Sequence, residues 1–181
     1  KPVRNAKIPS LALNSRSAIS LLVNAQGEER TLFNKAIDKQ LPIASLTKLM
    51  TAFVVLKNYD LAKEIKISRE AVSQEENLGK LNVGEILSVE QLLYPLLMES
   101  SNDAAFALAN DYDGMREEVF VALMNSEAQK LDLKNTHFIN VTGLDPENSN
   151  ETNYSSAYDL TLLAQELLKT PLIRQIFSTS K

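Results

Sequence analysis

The sequence contains no cysteine and only one histidine, His137. Without cysteine there is no disulfide framework, no thiolate nucleophile and no zinc-thiolate site. No cluster of histidines or carboxylates has the spacing of a metal site. No apolar run reaches the length of a transmembrane helix. The net charge of −4 is mild, and no basic stripe is interleaved with aromatic residues, which argues against nucleic-acid binding.

Apolar residues make up 44% of the chain, enough for an ordinary globular core. A length of 181 residues fits one domain, or one domain with an inserted lobe. Residues 17–38 alternate apolar and polar side chains around Gln26-Gly27, which predicts a β-hairpin. Most of the remaining chain predicts helices, with Ser88 and either Ser155 or Ser156 as N-caps. Because an isolated hairpin is marginal in water, this one needs further strands beside it.

The segment PIASLTKLMTAFVVL, residues 42–56, predicts a helix over about residues 45–58. A helix that is apolar on nearly all sides is buried. Ser45 and Lys48 stand three residues apart and therefore lie on one face of this helix. Burial and the positive end of the helix dipole both lower the pKa of a lysine amine. A neutral lysine is a base that activates a serine hydroxyl for acyl transfer.

The Ser-x-x-Lys spacing also fits a purely structural interpretation. In that case Ser45 caps the helix and Lys48 extends its amine to the surface. Ser178 and Lys181 match the same spacing with no buried helix behind them. The pattern alone therefore leaves both interpretations open.

A second candidate cluster, SSNDAA, follows about fifty residues later. Ser100, Asn102 and Asp103 precede a predicted helix, and all three are residue types that cap helices. The functional interpretation gives Ser100 a role in proton transfer and lets the Asn102 amide hold a substrate carbonyl. Taken by itself, this cluster also leaves both interpretations open.

Together the two motifs resemble the penicillin-binding D-alanyl-D-alanine peptidases of the low-molecular-mass, carboxypeptidase-like type. The resemblance extends over most of the chain from about residue 17 onward. Three further stretches look like that family, in its order: residues 82–105, 120–145 and 154–168. The fold that this resemblance implies is α/β, an antiparallel sheet flanked by helices, with an inserted helical lobe at roughly residues 60–145.

The resemblance also implies roles for individual residues. Ser45 would be the acylated nucleophile, Lys48 its proton acceptor and Ser100 the group that passes a proton to the leaving group. Asn102 would orient the substrate, and the backbone N–H of Ser45 would form half of the oxyanion hole. No metal or cofactor is implied. The implied partners are peptidoglycan stem peptides, which are cleaved outside the cytoplasm, and β-lactams, which acylate the serine.

One family motif, Lys-Thr-Gly on a core strand, does not occur in these residues. Lys169-Thr170 is followed by proline in a helical context, so we reject it as that motif. The hairpin without neighbours and the absent motif together predict that residues 1–181 are one incomplete catalytic domain lacking its C-terminal strands. A truncated chain, a nicked chain with a second polypeptide segment that carries those strands, or disorder would each account for the absence. Any membrane anchor would lie outside this segment. We expect the segment alone to be a poor catalyst.

Two alternatives share the scaffold. A class A β-lactamase would need a glutamate-held water, and no Glu-x-x-Leu-Asn stretch occurs here. A non-catalytic binding homologue is favoured by the absent third motif, whereas the intact first two motifs argue against it. His137 is predicted to be structural, since no serine elbow accompanies it.

Overall fold

The computed structural model describes residues 11–24, 26–75, 80–146 and 151–179. The chain divides into two compact units, Lys1–Ile37 and Asp38–Lys181. None of the helices within the described stretches is long and apolar enough to cross a membrane. The lobe predicted at residues 60–145 stays a prediction.

The first unit contains the hairpin that the alternation predicts. Strand β1 (Ala18–Val23) pairs antiparallel with strand β2 (Glu29–Lys35), and the register shifts by one residue between Ser20 and Leu21. Asn24 closes the turn, because its Oδ1 accepts hydrogen bonds from the N–H groups of Gln26 and Glu28. Among the described residues this sheet has two strands.

The second unit consists mainly of helices, with two further antiparallel strand pairs. Strand β3 (Leu41–Pro42) pairs with β6 (Tyr154–Ser155), and β4 (Glu64–Lys66) pairs with β5 (Ile86–Ser88). The helices are α1 Thr47–Asn58, α2 Arg69–Val72, α3 Val89–Met98, α4 Asn102–Asn110, α5 Glu117–Lys130, α6 Ala157–Leu168 and α7 Pro171–Ser178.

Helix α1 is the centre of this unit. A short 3₁₀ turn over Ala44–Leu46 leads into it, so the predicted start near residue 45 is confirmed to within two residues. Helices α3, α4, α5 and α6 pack around it. Its residues from Met50 to Val55 are all buried, as expected for a helix that is apolar on every side.

Side-chain caps fix where the surrounding helices begin. Ser88 caps α3 and forms a capping box with Gln91. Ser156, rather than Ser155, caps α6 by accepting a hydrogen bond from the Asp159 N–H. Both are among the predicted caps.

The capping interpretation that the sequence left open for Ser100, Asn102 and Asp103 is wrong. Ser101 is the cap, with its Oγ accepting from the Ala104 N–H at 3.1 Å. Asn102 and Asp103 are the first two residues of the helix, and Ser100 lies before the cap. Because four consecutive residues all favour N-cap positions, the sequence alone does not indicate which of them is the cap.

The carboxylate of Glu127 links two helices. It is buried on α5 and accepts hydrogen bonds from Lys57 Nζ of α1 at 2.8 Å and from Lys130 Nζ at 2.6 Å. Burial alone would raise the pKa of Glu127, but the hydrogen bonds and charges of Lys130 and Lys57 outweigh it and lower the pKa. Such a carboxylate stabilises the fold above its unfolded-state pKa. That contribution is lost as the pH falls through the folded-state pKa.

We therefore expect Glu127→Gln to lower the free energy of unfolding by about 1–3 kcal/mol at pH 7, because charge-assisted bonds to a buried group are lost. The difference from the unsubstituted protein should shrink below about pH 4, where carboxylates protonate. Urea denaturation of the natural full-length protein at both pH values measures this. Glu166→Gln is the control, since Glu166 pairs with the exposed Lys169 and surface pairs contribute about 0–1 kcal/mol. Equal losses in the two variants would contradict the expectation.

Candidate active site

Ser45 and Lys48 meet at the start of α1. Ser45 lies in the 3₁₀ turn and is exposed, whereas Lys48 lies in the first helical turn and is only 3% exposed. The two side chains are in contact, with 3.3 Å between Lys48 Nζ and Ser45 Oγ. The three-residue spacing therefore brings the two groups together as predicted.

The surroundings of Lys48 favour the neutral form of its amine. Burial lowers the pKa of Lys48 to about 8. One hydrogen of the amine is donated to the carbonyl oxygen of Thr142 at 2.7 Å. The amine also donates to Ser45 Oγ at 3.3 Å, so it bridges the Thr142 carbonyl and the Ser45 hydroxyl. The pair has the arrangement that serine activation by a lysine requires.

The segment 140–143 covers this end of α1. Thr51 Oγ1 donates to the Val141 carbonyl at 2.8 Å, one residue before the carbonyl that holds Lys48. Gly143 has φ +88° and lies so close to the turn that a Cβ there would be 2.0 Å from the Ala44 carbonyl oxygen. Only glycine fits this position, on grounds of both space and backbone conformation.

Two residues with left-handed backbone flank the candidate catalytic groups. Ala44 has φ +46° immediately before Ser45, and Ser100 has φ +58° in the connection between α3 and α4. Non-glycine residues adopt this region at a cost, and such residues cluster at functional sites. Ala36, Lys80, Asp113 and Asp132 share this conformation outside the two motifs, so positive φ alone does not identify the site.

Ser100 carries a hydroxyl that is buried and has no hydrogen-bond partner among the described residues. A buried unsatisfied polar group is uncommon and is often completed by water or a ligand. The loop that holds Ser100 joins α3 and α4, and both helices pack against α1. In the part of the chain that the structure describes, no hydrogen bond joins Ser100 to Ser45 or Lys48.

Asn102 is buried, and its Nδ2 donates to the carbonyl of Glu75 at 2.7 Å. An amide nitrogen carries two hydrogens and the amide oxygen accepts, so this bond leaves one hydrogen and the oxygen for another partner. The sequence predicted a contact with substrate but not the bond to Glu75, which lies 27 residues earlier in the chain.

The remaining sequence candidates lie elsewhere. Lys169 and Thr170 join α6 to α7, and the Lys169 amine pairs with Glu166. Ser178 ends α7 and donates to the Gln175 carbonyl, while Lys181 lies outside the described residues. The backbone of His137 exchanges two hydrogen bonds with that of Tyr154.

A serine beside a buried lysine at the start of a core helix defines a class of serine acyltransferases. A family model described as D-alanyl-D-alanine carboxypeptidase matches residues 4–181. The chain belongs to this family, which confirms the resemblance seen in the sequence.

Individual relatives agree with this assignment. The D-alanyl-D-alanine carboxypeptidase DacF of Bacillus subtilis is 37% identical over 93% of this chain and 43% of its own length. The D-alanyl-D-alanine endopeptidase of Pseudomonas aeruginosa is 36% identical over 88% of this chain and 50% of its own. The chain therefore spans about half the length of these curated relatives.

Solved structures confirm the predicted fold class. The S216A mutant of the Streptomyces K15 DD-transpeptidase matches with a TM-score of 0.81 and 33% identity, over 92% of this chain and 66% of the other. A D-alanyl-D-alanine carboxypeptidase from Mycobacterium tuberculosis matches with a TM-score of 0.85 and 27% identity, over 98% of this chain and 65% of the other.

The close approach of Gly143 to the turn before Ser45 leads to a test. We expect Gly143→Ala to lower the free energy of unfolding by more than the roughly 1–2 kcal/mol that a left-handed backbone costs an alanine. The added cost arises because the new Cβ collides with the Ala44 carbonyl. Amide hydrogen exchange at residues 44–48 should also quicken, because the turn must shift.

Gly114→Ala provides the matched control for this test. Gly114 also has a positive φ, +70°, but a Cβ there meets no atom within 4 Å. Gly114→Ala should lower the free energy of unfolding by the backbone cost alone. Amide hydrogen exchange at residues 44–48 should be unchanged. If both variants behave alike, Gly143 does not brace the turn.

Proposed function

We propose that the natural full-length protein is a serine DD-peptidase that cleaves peptidoglycan stem peptides through an acyl-enzyme on Ser45. The observation that carries the proposal is the buried amine of Lys48, 3.3 Å from the Ser45 hydroxyl. Family membership supports the substrate class, which comprises terminal D-Ala-D-Ala and cross-links that contain D-Ala. Carboxypeptidase and endopeptidase activities both fit this catalytic set.

In the first half-reaction Ser45 Oγ attacks the carbonyl carbon of the D-alanine, and its proton moves to Lys48 Nζ. The bond from that carbonyl carbon to nitrogen then breaks, and the proton passes through the Ser100 hydroxyl to the leaving amine. In the second half-reaction water attacks the ester carbon, the bond to Oγ breaks and Oγ regains a proton.

Backbone and amide groups assist these steps. The Ser45 N–H supplies half of the oxyanion hole, where a donor stabilises the developing charge. Asn102 orients the substrate with the hydrogen and oxygen that its bond to Glu75 leaves available. The Lys-Thr-Gly motif that would complete the site is not in this sequence. The segment alone is therefore proposed to be a weak catalyst.

The proposed function predicts where the protein acts and which compounds inhibit it. Peptidoglycan lies outside the cytoplasmic membrane, so we place the protein in the periplasm or at the cell envelope. β-Lactams carry a strained amide that the same serine attacks, and they are expected to acylate Ser45.

Labelling the natural full-length protein with fluorescent penicillin tests the nucleophile. We expect one adduct, located by mass spectrometry on Ser45 and lost in Ser45→Ala. Ser178→Ala is the matched control, because Ser178 and Lys181 repeat the spacing of the proposed pair and labelling should persist. An adduct elsewhere, or none, overturns the proposal. Rapid turnover of a chromogenic cephalosporin indicates a β-lactamase instead.

The pH dependence of acylation tests the base. Because burial lowers the pKa of Lys48 to about 8, the rate should rise with pH through a midpoint near that value as the amine loses its proton. Stopped-flow measurement of penicillin acylation between pH 6 and 10 gives the profile. Lys48→Met should abolish the rise, and a profile that is flat from pH 6 upward would exclude Lys48 as the base.

A further inference from the structure

Asn153 is a buried amide that none of the sequence motifs includes. It is 1% exposed and lies directly before β6. Its Oδ1 accepts hydrogen bonds from the N–H groups of Ile139, at 2.7 Å, and Asn140, at 3.2 Å. Because an amide nitrogen cannot accept, these two donors fix which end of the carboxamide is oxygen.

The nitrogen of the Asn153 amide therefore points toward α1. Nδ2 donates to Thr47 Oγ1 at 2.8 Å, and also faces the carbonyl and side-chain oxygens of Asn140 at 3.1 Å each. The Asn153 main-chain carbonyl accepts from the Ile43 N–H at 3.2 Å. One residue thus holds the chain on both sides of Ser45.

The other end of this network reaches the carbonyl that binds Lys48. Asn140 Oδ1, which Asn153 contacts, also accepts from the Gly143 N–H at 2.7 Å. This bond closes the turn over residues 140–143, and Thr142 within it presents its carbonyl to Lys48 Nζ at 2.7 Å. Asn153 therefore joins the turn above Lys48 to Thr47, the residue directly before that lysine.

We propose that Asn153 is a positioning residue for proton transfer, clamping the 140–143 turn onto the first turn of α1. The clamp keeps water from the Lys48 amine and keeps the Thr142 carbonyl in contact with it. The role is indirect, since Asn153 acts through Thr47, Asn140 and Thr142. It deepens the proposed function and rests on it for the link to catalysis.

Asn153→Ala in the natural full-length protein tests the clamp. With the turn loosened, water reaches the amine and the pKa of Lys48 rises toward its ordinary value. We expect the midpoint of penicillin acylation to move up by about one pH unit, so that the rate at pH 6.5 falls about tenfold. The limiting rate at high pH should change little, whereas general structural damage would lower it.

Two further variants separate this role from a loss of stability. Thr47→Val keeps the shape of the side chain but removes the oxygen that Asn153 binds, and it should shift the midpoint in the same direction by a smaller amount. Asn125→Ala removes a half-buried amide that binds the Phe138 N–H and carbonyl, four residues before Thr142. It should leave the midpoint unchanged. Equal midpoint shifts in the Asn125 and Asn153 variants, or no shift in Asn153→Ala, overturn the proposal.

A readout independent of activity keeps this test separate from the proposed function. NMR titration of ¹³C-labelled lysine, with Lys48 assigned through Lys48→Arg, follows the amine directly. An upward shift in Asn153→Ala supports the clamp even in a protein that forms no acyl-enzyme. An unchanged titration overturns the clamp even where Ser45 is acylated.

Discussion

The site depends on the removal of one lysine amine from water. A charged amine in an apolar surrounding is costly, and a lysine escapes that cost by giving up its proton. Helix α1 creates the surrounding because helices α3, α4, α5 and α6 pack against it. Lys48 stands in the first turn of that helix, where the burial is deep but the neighbouring Ser45 still reaches solvent.

Why the lysine does not extend to the surface is a question of packing. Side chains on a helix point back toward its N-terminus, which directs Lys48 to Ser45. The turn over residues 140–143 then closes above it, with Gly143 lying directly against the Ala44 carbonyl. The left-handed backbone of Ala44 is maintained by the surrounding structure, as strained residues at functional sites are.

Local patterns in the sequence predicted one part of this arrangement and missed the other. The contact between Ser45 and Lys48 follows from helical spacing, and the burial of α1 follows from its apolar residues. The bond from Lys48 to Thr142 joins residues 94 apart, and the bond from Asn153 to Thr47 joins residues 106 apart. No spacing rule connects such positions, because only the tertiary fold brings them together. From the sequence, Asn153 is indistinguishable from the other polar residues of its loop until its partners are known.

The hydrogen-bonding state of the side chains distinguishes Asn153 from Ser100. Asn153 uses both ends of its amide. Ser100, by contrast, has a buried hydroxyl with no partner among the described residues. Leaving such a group unsatisfied costs about 1–3 kcal/mol. A bound molecule that hydrogen-bonds to this hydroxyl would recover that energy, whereas no comparable gain is available at Asn153. The fold thus satisfies the amide of Asn153 and leaves the hydroxyl of Ser100 without a partner among the described residues, as its proposed role in proton transfer requires.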